Sequence, residues 1–255
     1  MIIDFHTHIW NKQLDDVDTF VKGLDEGGID KACVLPIAPY MSNEDVARLV
    51  DKHPDRLIGF ASVVPFAQTT GIDRLDPSDE LRHAVAELGL KGLKIHPLIQ
   101  GFKIDDPGLV PLMSTAAELD IPVLLHTGPN MGKAGRSANG KVELIEDLAL
   151  MCPNTTIVAG HADPLDITTA YMAASMPNVY LEPSISWPKR HEILPKLAAQ
   201  VIEIAGASKI LYGTDFSIGR GHRISDINSM LDECNLSAED RELIESGNAR
   251  RLLKI

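Results

Sequence analysis

The chain has 255 residues, 44% of them hydrophobic and 24% charged, the composition of an ordinary globular protein long enough to bury a substantial core. A formal net charge of −12 repels phosphate, so nucleic acid and anionic membrane surfaces are excluded as expected partners and a small molecule is favoured. The same charge does not exclude an anionic substrate, because a bound metal and a few local cations can reverse the potential inside a pocket.

In chain order the first predicted element is a strand over 2–8, Ile2-Ile3-Asp4-Phe5-His6-Thr7-His8. It begins without a basic segment leading into an apolar one, so neither export nor anchoring is expected. Further β-prone runs are predicted at 32–37, 57–64, 92–96, 122–127, 156–160, 179–181 and 209–213. Several, such as Val123-Leu124-Leu125 and Ile210-Leu211-Tyr212, are apolar almost throughout, as in sheets covered on both faces. Between them, helical periodicity predicts helices at 43–52, 78–88, 109–119, 142–151, 165–175 and 193–205, with Ser42 and Ser78 as N-caps and Gly89 as a C-terminal stop.

One strand, one helix and two loops take roughly 25 to 35 residues, and about eight such units make a closed parallel barrel. The expected fold is therefore an α/β (β/α)₈ barrel over 1–255 as one domain, with an open doubly wound sheet as the competitor that alternation alone does not remove. The stretch 128–141 reads as a long loop on the working face. Cys33, Cys152 and Cys234 are far apart, so buried thiols in a reducing cytoplasm are expected rather than disulfides. Self-association into a homo-oligomer stays open.

Side chains alternate along a strand, so His6 and His8 point the same way and can grip one ion. Metal-capable residues also end later strands: His96, His126, His161 and Asp215, where the βα loops of a barrel assemble its active site. Buried imidazoles and carboxylates without partners are costly, so a recurrence at five strand ends calls for a common purpose.

Taken together, Asp4-Phe5-His6-Thr7-His8, Gly92-Leu93-Lys94-Ile95-His96-Pro97, Leu125-His126-Thr127-Gly128, Gly160-His161, Tyr212-Gly213-Thr214-Asp215-Phe216 and the closing Gly247-Asn248-Ala249-Arg250-Arg251-Leu252-Leu253 resemble the amidohydrolase superfamily. The likeness is closer to its branch of metal-dependent hydrolases and decarboxylases related to aminocarboxymuconate semialdehyde decarboxylase. It runs over essentially the whole chain in strand order and implies a TIM barrel with one divalent metal held by His6, His8, His126 and Asp215. Zinc is the default for such nitrogen and oxygen donors, with manganese, iron or cobalt able to use the same set.

The resemblance makes His161 the active-site histidine beside the metal, although Ala162-Asp163-Pro164 stands where the family often has a glycine-rich continuation. A second ligand or a core histidine is the plain alternative for it. Asp215 is expected both to bind metal and to take a proton from water. Lys94 is the candidate for a carboxylated lysine bridging two metals, but the single-metal pattern fits the motif better. His96, Arg136 and Arg220 are expected to contact substrate, with Lys133, His222 and Arg223 as weaker candidates; Glu182 faces either the pocket or a turn. Trp10 and Trp187 line the pocket or simply pack, and His53, His83 and His191 are surface residues.

The preferred activity is hydrolysis of a small ester, lactone or amide through metal-activated water. The alternatives are nonoxidative decarboxylation of a small unsaturated or aromatic acid, and a noncatalytic barrel that binds metal or a metabolite.

Overall fold

Strands that are apolar almost throughout have two faces to bury, and a closed ring of parallel strands covers both. The computed structural model describes residues 1–66, 75–128, 135–163, 166–184 and 194–255. Strands β1 (Ile3–Thr7), β2 (Lys31–Val34) and β3 (Leu57–Gly59) form one parallel sheet; β4 (Leu93–Ile95), β5 (Val123–His126), β6 (Ile157–Gly160) and β7 (Val179–Glu182) form a second. A parallel bridge between Ala61 and Leu93 joins them on one side.

On the other side the stretch 210–216 closes the ring, bridging to Leu181 through Ile210 and to Thr7 through Phe216. The barrel is thus closed, and the open-sheet alternative falls away. The expected eighth strand is not a continuous ladder, because its N–H groups are spent elsewhere. Tyr212 donates to the Ile244 carbonyl at 3.0 Å, Thr214 to the Asp4 carboxylate at 3.1 Å and Phe216 to the Thr214 hydroxyl at 3.0 Å.

Two apolar layers result. Ile3, Phe5, Cys33, Ile58, Phe60, Leu124, Val158 and Leu211 pack together inside the ring, and Ala249 and Leu253 of the closing helix plug its base. Outside, Val34, Leu57, Val123, Ile157 and Val179 pack against the surrounding helices. All three cysteines are free and buried. Among the described residues no helix is long and apolar enough to cross a membrane.

The helix over Asn43–Lys52 matches its expected bounds, and Ser42 caps it by accepting the Asp45 N–H at 3.1 Å. Ser42→Ala is expected to lower stability by about 1 kcal/mol, read from denaturant unfolding; no change would show that water satisfies that donor equally well. The helix predicted from Ser78 instead begins at Pro77, with Asp76 as its cap accepting the Ser78 N–H. Proline fits the first helical position because it needs no donor there. That helix ends at Ala86, short of the expected Leu88, with Glu87 as its C-cap. Gly89, at φ +69°, lies in the turn that follows, where the Leu90 N–H returns to the Ala84 carbonyl at 3.1 Å. Helices over Val17–Glu26 and His222–Glu233 were not among the expected ones.

Candidate active site

The β1 strand carries a register shift between Asp4 and Thr7 in its pairing with β2. Bulges of this kind re-aim side chains. Ile3 and Phe5 face the barrel interior, and past the shift His6 and His8 face it too, at the C-terminal mouth. Asp4, left on the other face, accepts the His6 and Thr214 N–H groups at 3.0 and 3.1 Å and ties β1 to the closing stretch. Burial pushes its carboxyl up to about 7, against the pull of those hydrogen bonds.

His6, His8 and Asp215 are buried with one donor atom from each within 4.8 Å of the others. The His6 and His8 Nε2 atoms are 3.2 Å apart, and Asp215 Oδ1 lies 3.2 Å from His8 and 3.9 Å from His6. Partners assign the tautomers. His8 Nδ1 donates to the Leu35 carbonyl at 2.6 Å and His6 Nδ1 to Glu182 Oε2 at 2.5 Å, so both Nε2 atoms present lone pairs. Two lone pairs face to face repel unless a cation lies between them. On one tetrahedral ion with bonds of about 2.0–2.1 Å, two imidazole nitrogens stand about 3.3–3.4 Å apart, which matches the spacing here. The donor set therefore fits a divalent cation.

His126 is not in that tight set. Its ring stacks on His96 at 3.8 Å and meets His161 edge-on at 4.5 Å. Burial first, then the charges of its neighbours, holds His126 well below the usual imidazole range, so it offers a neutral ring one step from the His6–His8–Asp215 group. His96 ends β4 by capping the short helix Pro97–Gln100, its Nδ1 accepting the Ile99 N–H at 3.4 Å. His161 stands at φ +66°, a backbone strained for a residue with a side chain. Its Nδ1 lies 3.1 Å from the Ser184 carbonyl and 3.0 Å from the Ser184 hydroxyl. Burial lowers its pKa to about 4 despite the Asp215 charge.

Asp215, also in the left-handed region at φ +53°, is seated by its own N–H donating to the His6 carbonyl at 2.7 Å. Its second oxygen takes the Arg223 guanidinium. Although burial raises it, the Arg223 guanidinium on its second oxygen holds the carboxyl well below the usual range. Arg223, weighed as a substrate contact in the sequence, is thus spent on Asp215.

Fully buried Lys94 brings Nζ within 3.2 Å of His6 Nε2. Burial lowers its pKa to about 8, opposed by Asp215 and Glu182. The other close group, His6, His161 and Glu182, is already closed by hydrogen bonds through Ser184.

Trp10 stacks on His8 with ring centroids 4.9 Å apart. Arg136 and Arg220 are exposed, on the turn after β5 and on the loop after the closing stretch, outside the histidine cluster. His53 bonds Asp18 at the surface and His83 is exposed. Lys133, Trp187 and His191 lie outside the described residues, as do 129–134 of the long loop. Ser184 was not anticipated; nothing in the sequence after Pro183 marks it, and only its place beside His161 and Glu182 reveals it.

A parallel barrel with buried imidazoles and a carboxylate gathered at the C-terminal mouth defines a metal-dependent barrel enzyme. The amidohydrolase family model matches residues 3–255, and the chain belongs to that family; it is an enzyme of the amidohydrolase superfamily. Over 99 residues it is 32% identical to 2-amino-3-carboxymuconate-6-semialdehyde decarboxylase of Dictyostelium discoideum, a match covering 39% of this chain and 26% of that protein's length. It is 24% identical to 2-keto-4-carboxy-3-hexenedioate hydratase of a Sphingobium strain, over 88% of this chain and 73% of the relative. The crystal structure of a dihydroxybenzoic acid decarboxylase from a Polaromonas species, with bound manganese and 2-nitroresorcinol, superposes with a TM-score of 0.71 at 21% identity, covering 99% of this chain and 96% of that one. At that identity the likeness speaks for the fold.

Proposed function

We propose that this chain is a metal-dependent nonoxidative decarboxylase of a small unsaturated or aromatic carboxylic acid, with His6, His8 and Asp215 as the inner ligands and His126 as the fourth. The observation that carries the reading is the pair of Nε2 lone pairs 3.2 Å apart beside Asp215. Zinc is the proposed occupant, with manganese as the other suitable ion, and a reducing cytoplasm is the proposed setting. When bound, such a cation supplies a Lewis acid for a substrate oxygen.

Hydrolysis was the reaction favoured by the sequence, with Asp215 accepting a proton from water. Two things move the balance. The Dictyostelium relative named above is a decarboxylase, and Asp215 gives one oxygen to the Arg223 guanidinium, which leaves a weakly basic carboxylate. His161 is the better proton-transfer group. Neutral in the empty pocket, it gains a proton as an anionic substrate arrives beside it, since a nearby negative charge favours the imidazolium. The substrate's carbon–carboxylate bond then breaks, its electron pair stays on carbon, and His161 delivers the proton there as carbon dioxide leaves. His96 and Trp10 flank the ring or chain of the acid, and the exposed cations Arg136 and Arg220 attract its charge.

The test incubates metal-quantified protein with a panel of small unsaturated and aromatic acids, and with esters, lactones and amides, in isotopically labelled water. The expected product has lost carbon dioxide and carries one solvent hydrogen on carbon. Solvent oxygen in the product would replace this reading by hydrolysis or by water addition of the kind named for the Sphingobium relative.

A further inference from the structure

We infer that Glu182 is a positioning residue, its buried carboxylate fixing the tautomer of His6 and the Ser184 turn that seats His161. The inference rests on the metal reading above and deepens it.

Glu182 ends β7 with no exposed surface. Room for its carboxylate comes from the neighbouring closing stretch, where a Cβ at Gly213 would fall 2.1 Å from Oε1. The missing side chain at Gly213 is what lets the Glu182 side chain lie there. Three hydrogens converge there. His6 Nδ1–H donates to Oε2 at 2.5 Å, the Ser184 N–H to Oε1 at 2.6 Å, and the Ser184 hydroxyl to Oε2 at 3.0 Å.

A group that only accepts suits all three donors, and an amide does not, because its NH₂ would face either His6 Nδ1–H or a Ser184 donor. Holding the proton on His6 Nδ1 keeps the Nε2 lone pair aimed at His8 and Asp215. Ser184, pinned at its N–H and hydroxyl, presents its carbonyl to His161 Nδ1 at 3.1 Å, which leaves the other ring nitrogen for proton transfer. Burial pushes the Glu182 carboxyl up to about 8, and the Ser184 hydrogen bonds and the Lys94 charge oppose it. A carboxylate that orients a metal-binding histidine is a recurrent use of such a buried acid.

The test compares wild type, Glu182→Gln, Glu182→Asp and Ser184→Ala. Zinc affinity is measured by competition with a chromogenic chelator, and the imidazole tautomers are read by nitrogen NMR on metal-free protein. Glu182→Gln is expected to weaken zinc binding about 10- to 100-fold and to lose the single Nδ1–H state of His6. Ser184→Ala removes a hydroxyl 3.2 Å from His6 Nδ1 but keeps the Glu182 acceptor, so it is expected to retain the Nδ1–H state and zinc binding; loss of both would assign the orientation of His6 to Ser184 and overturn the inference.

Wild-type zinc affinity together with an unchanged His6 tautomer in Glu182→Gln overturns the inference. Should that variant fail to fold, Glu182→Asp serves instead: its carboxylate is drawn back by one methylene, weaker zinc binding is expected, and wild-type affinity overturns the inference. If the wild type binds neither zinc nor manganese, the metal reading falls, and the His6 spectra alone then decide whether Glu182 sets the tautomer.

Discussion

Asp215→Asn is expected to lose zinc and manganese uptake at concentrations that saturate the wild type, and to lower kcat/KM on the order of 10³-fold. Asparagine tolerates the left-handed backbone that Asp215 adopts at φ +53°, so the change removes charge without forcing the closing stretch to move. It takes one of the three close donors from the His6–His8–Asp215 group and leaves the Arg223 guanidinium facing that group without its carboxylate. Losing this nearly buried ion pair is expected to cost about 2–3 kcal/mol of metal-free stability.

The pH dependence has a definite sign. Asp215 is held below its unfolded value, so it contributes stability above the ordinary carboxylate range, and that contribution is lost as pH falls through the depressed folded value. The asparagine chain lacks this contribution, and its unfolding midpoint should change less on acidification. Metal analysis after dialysis and denaturant unfolding at two pH values measure both effects; wild-type cation uptake by Asp215→Asn would remove Asp215 from the ligand set.

His161→Gln separates chemistry from cation binding. Turnover is expected to fall about 10²- to 10⁴-fold, the range for loss of a positioned acid or base, while the metal-to-protein ratio stays that of the wild type. The ring touches His6 and His126 at centroid distances of 4.7 and 4.5 Å but is held through Nδ1 by Ser184 rather than by His8 or Asp215. Loss of metal along with activity would make His161 a ligand, the plain alternative that its sequence position leaves open. Retained activity would move proton transfer to another group.

Much of this site is readable from spacing. The alternation of His6 and His8 places both rings on one face, and polar residues after apolar runs locate His96, His126, His161 and Asp215 at one end of the strands. Local chemistry also sets the helix over Asn43–Lys52, where Ser42, two acidic residues in the first turn and Lys52 at the end all favour the same bounds. Helical spacing is also legible in Val17–Glu26, where the buried Val17, Phe20, Val21 and Leu24 share one face. Pro77 marks the first helical position and so points to Asp76 rather than Ser78 as the cap.

Sequence by itself determined the periodic alternation of strands and helices and the residue types at the strand ends, and hence parallel strands with imidazoles and a carboxylate gathered at their C-terminal ends. These follow from local rules, since strand alternation and helix spacing act over a few residues. Tertiary structure alone decided that the ring closes through 210–216, that Arg223 engages Asp215 instead of solvent, and that Glu182 reaches across Gly213 to His6. Glu182 and His6 are 176 positions apart in the chain, and no periodicity carries information over that distance. Their meeting depends on barrel closure, a bulge in β1 and the missing side chain at Gly213, which are properties of how the strands pack together.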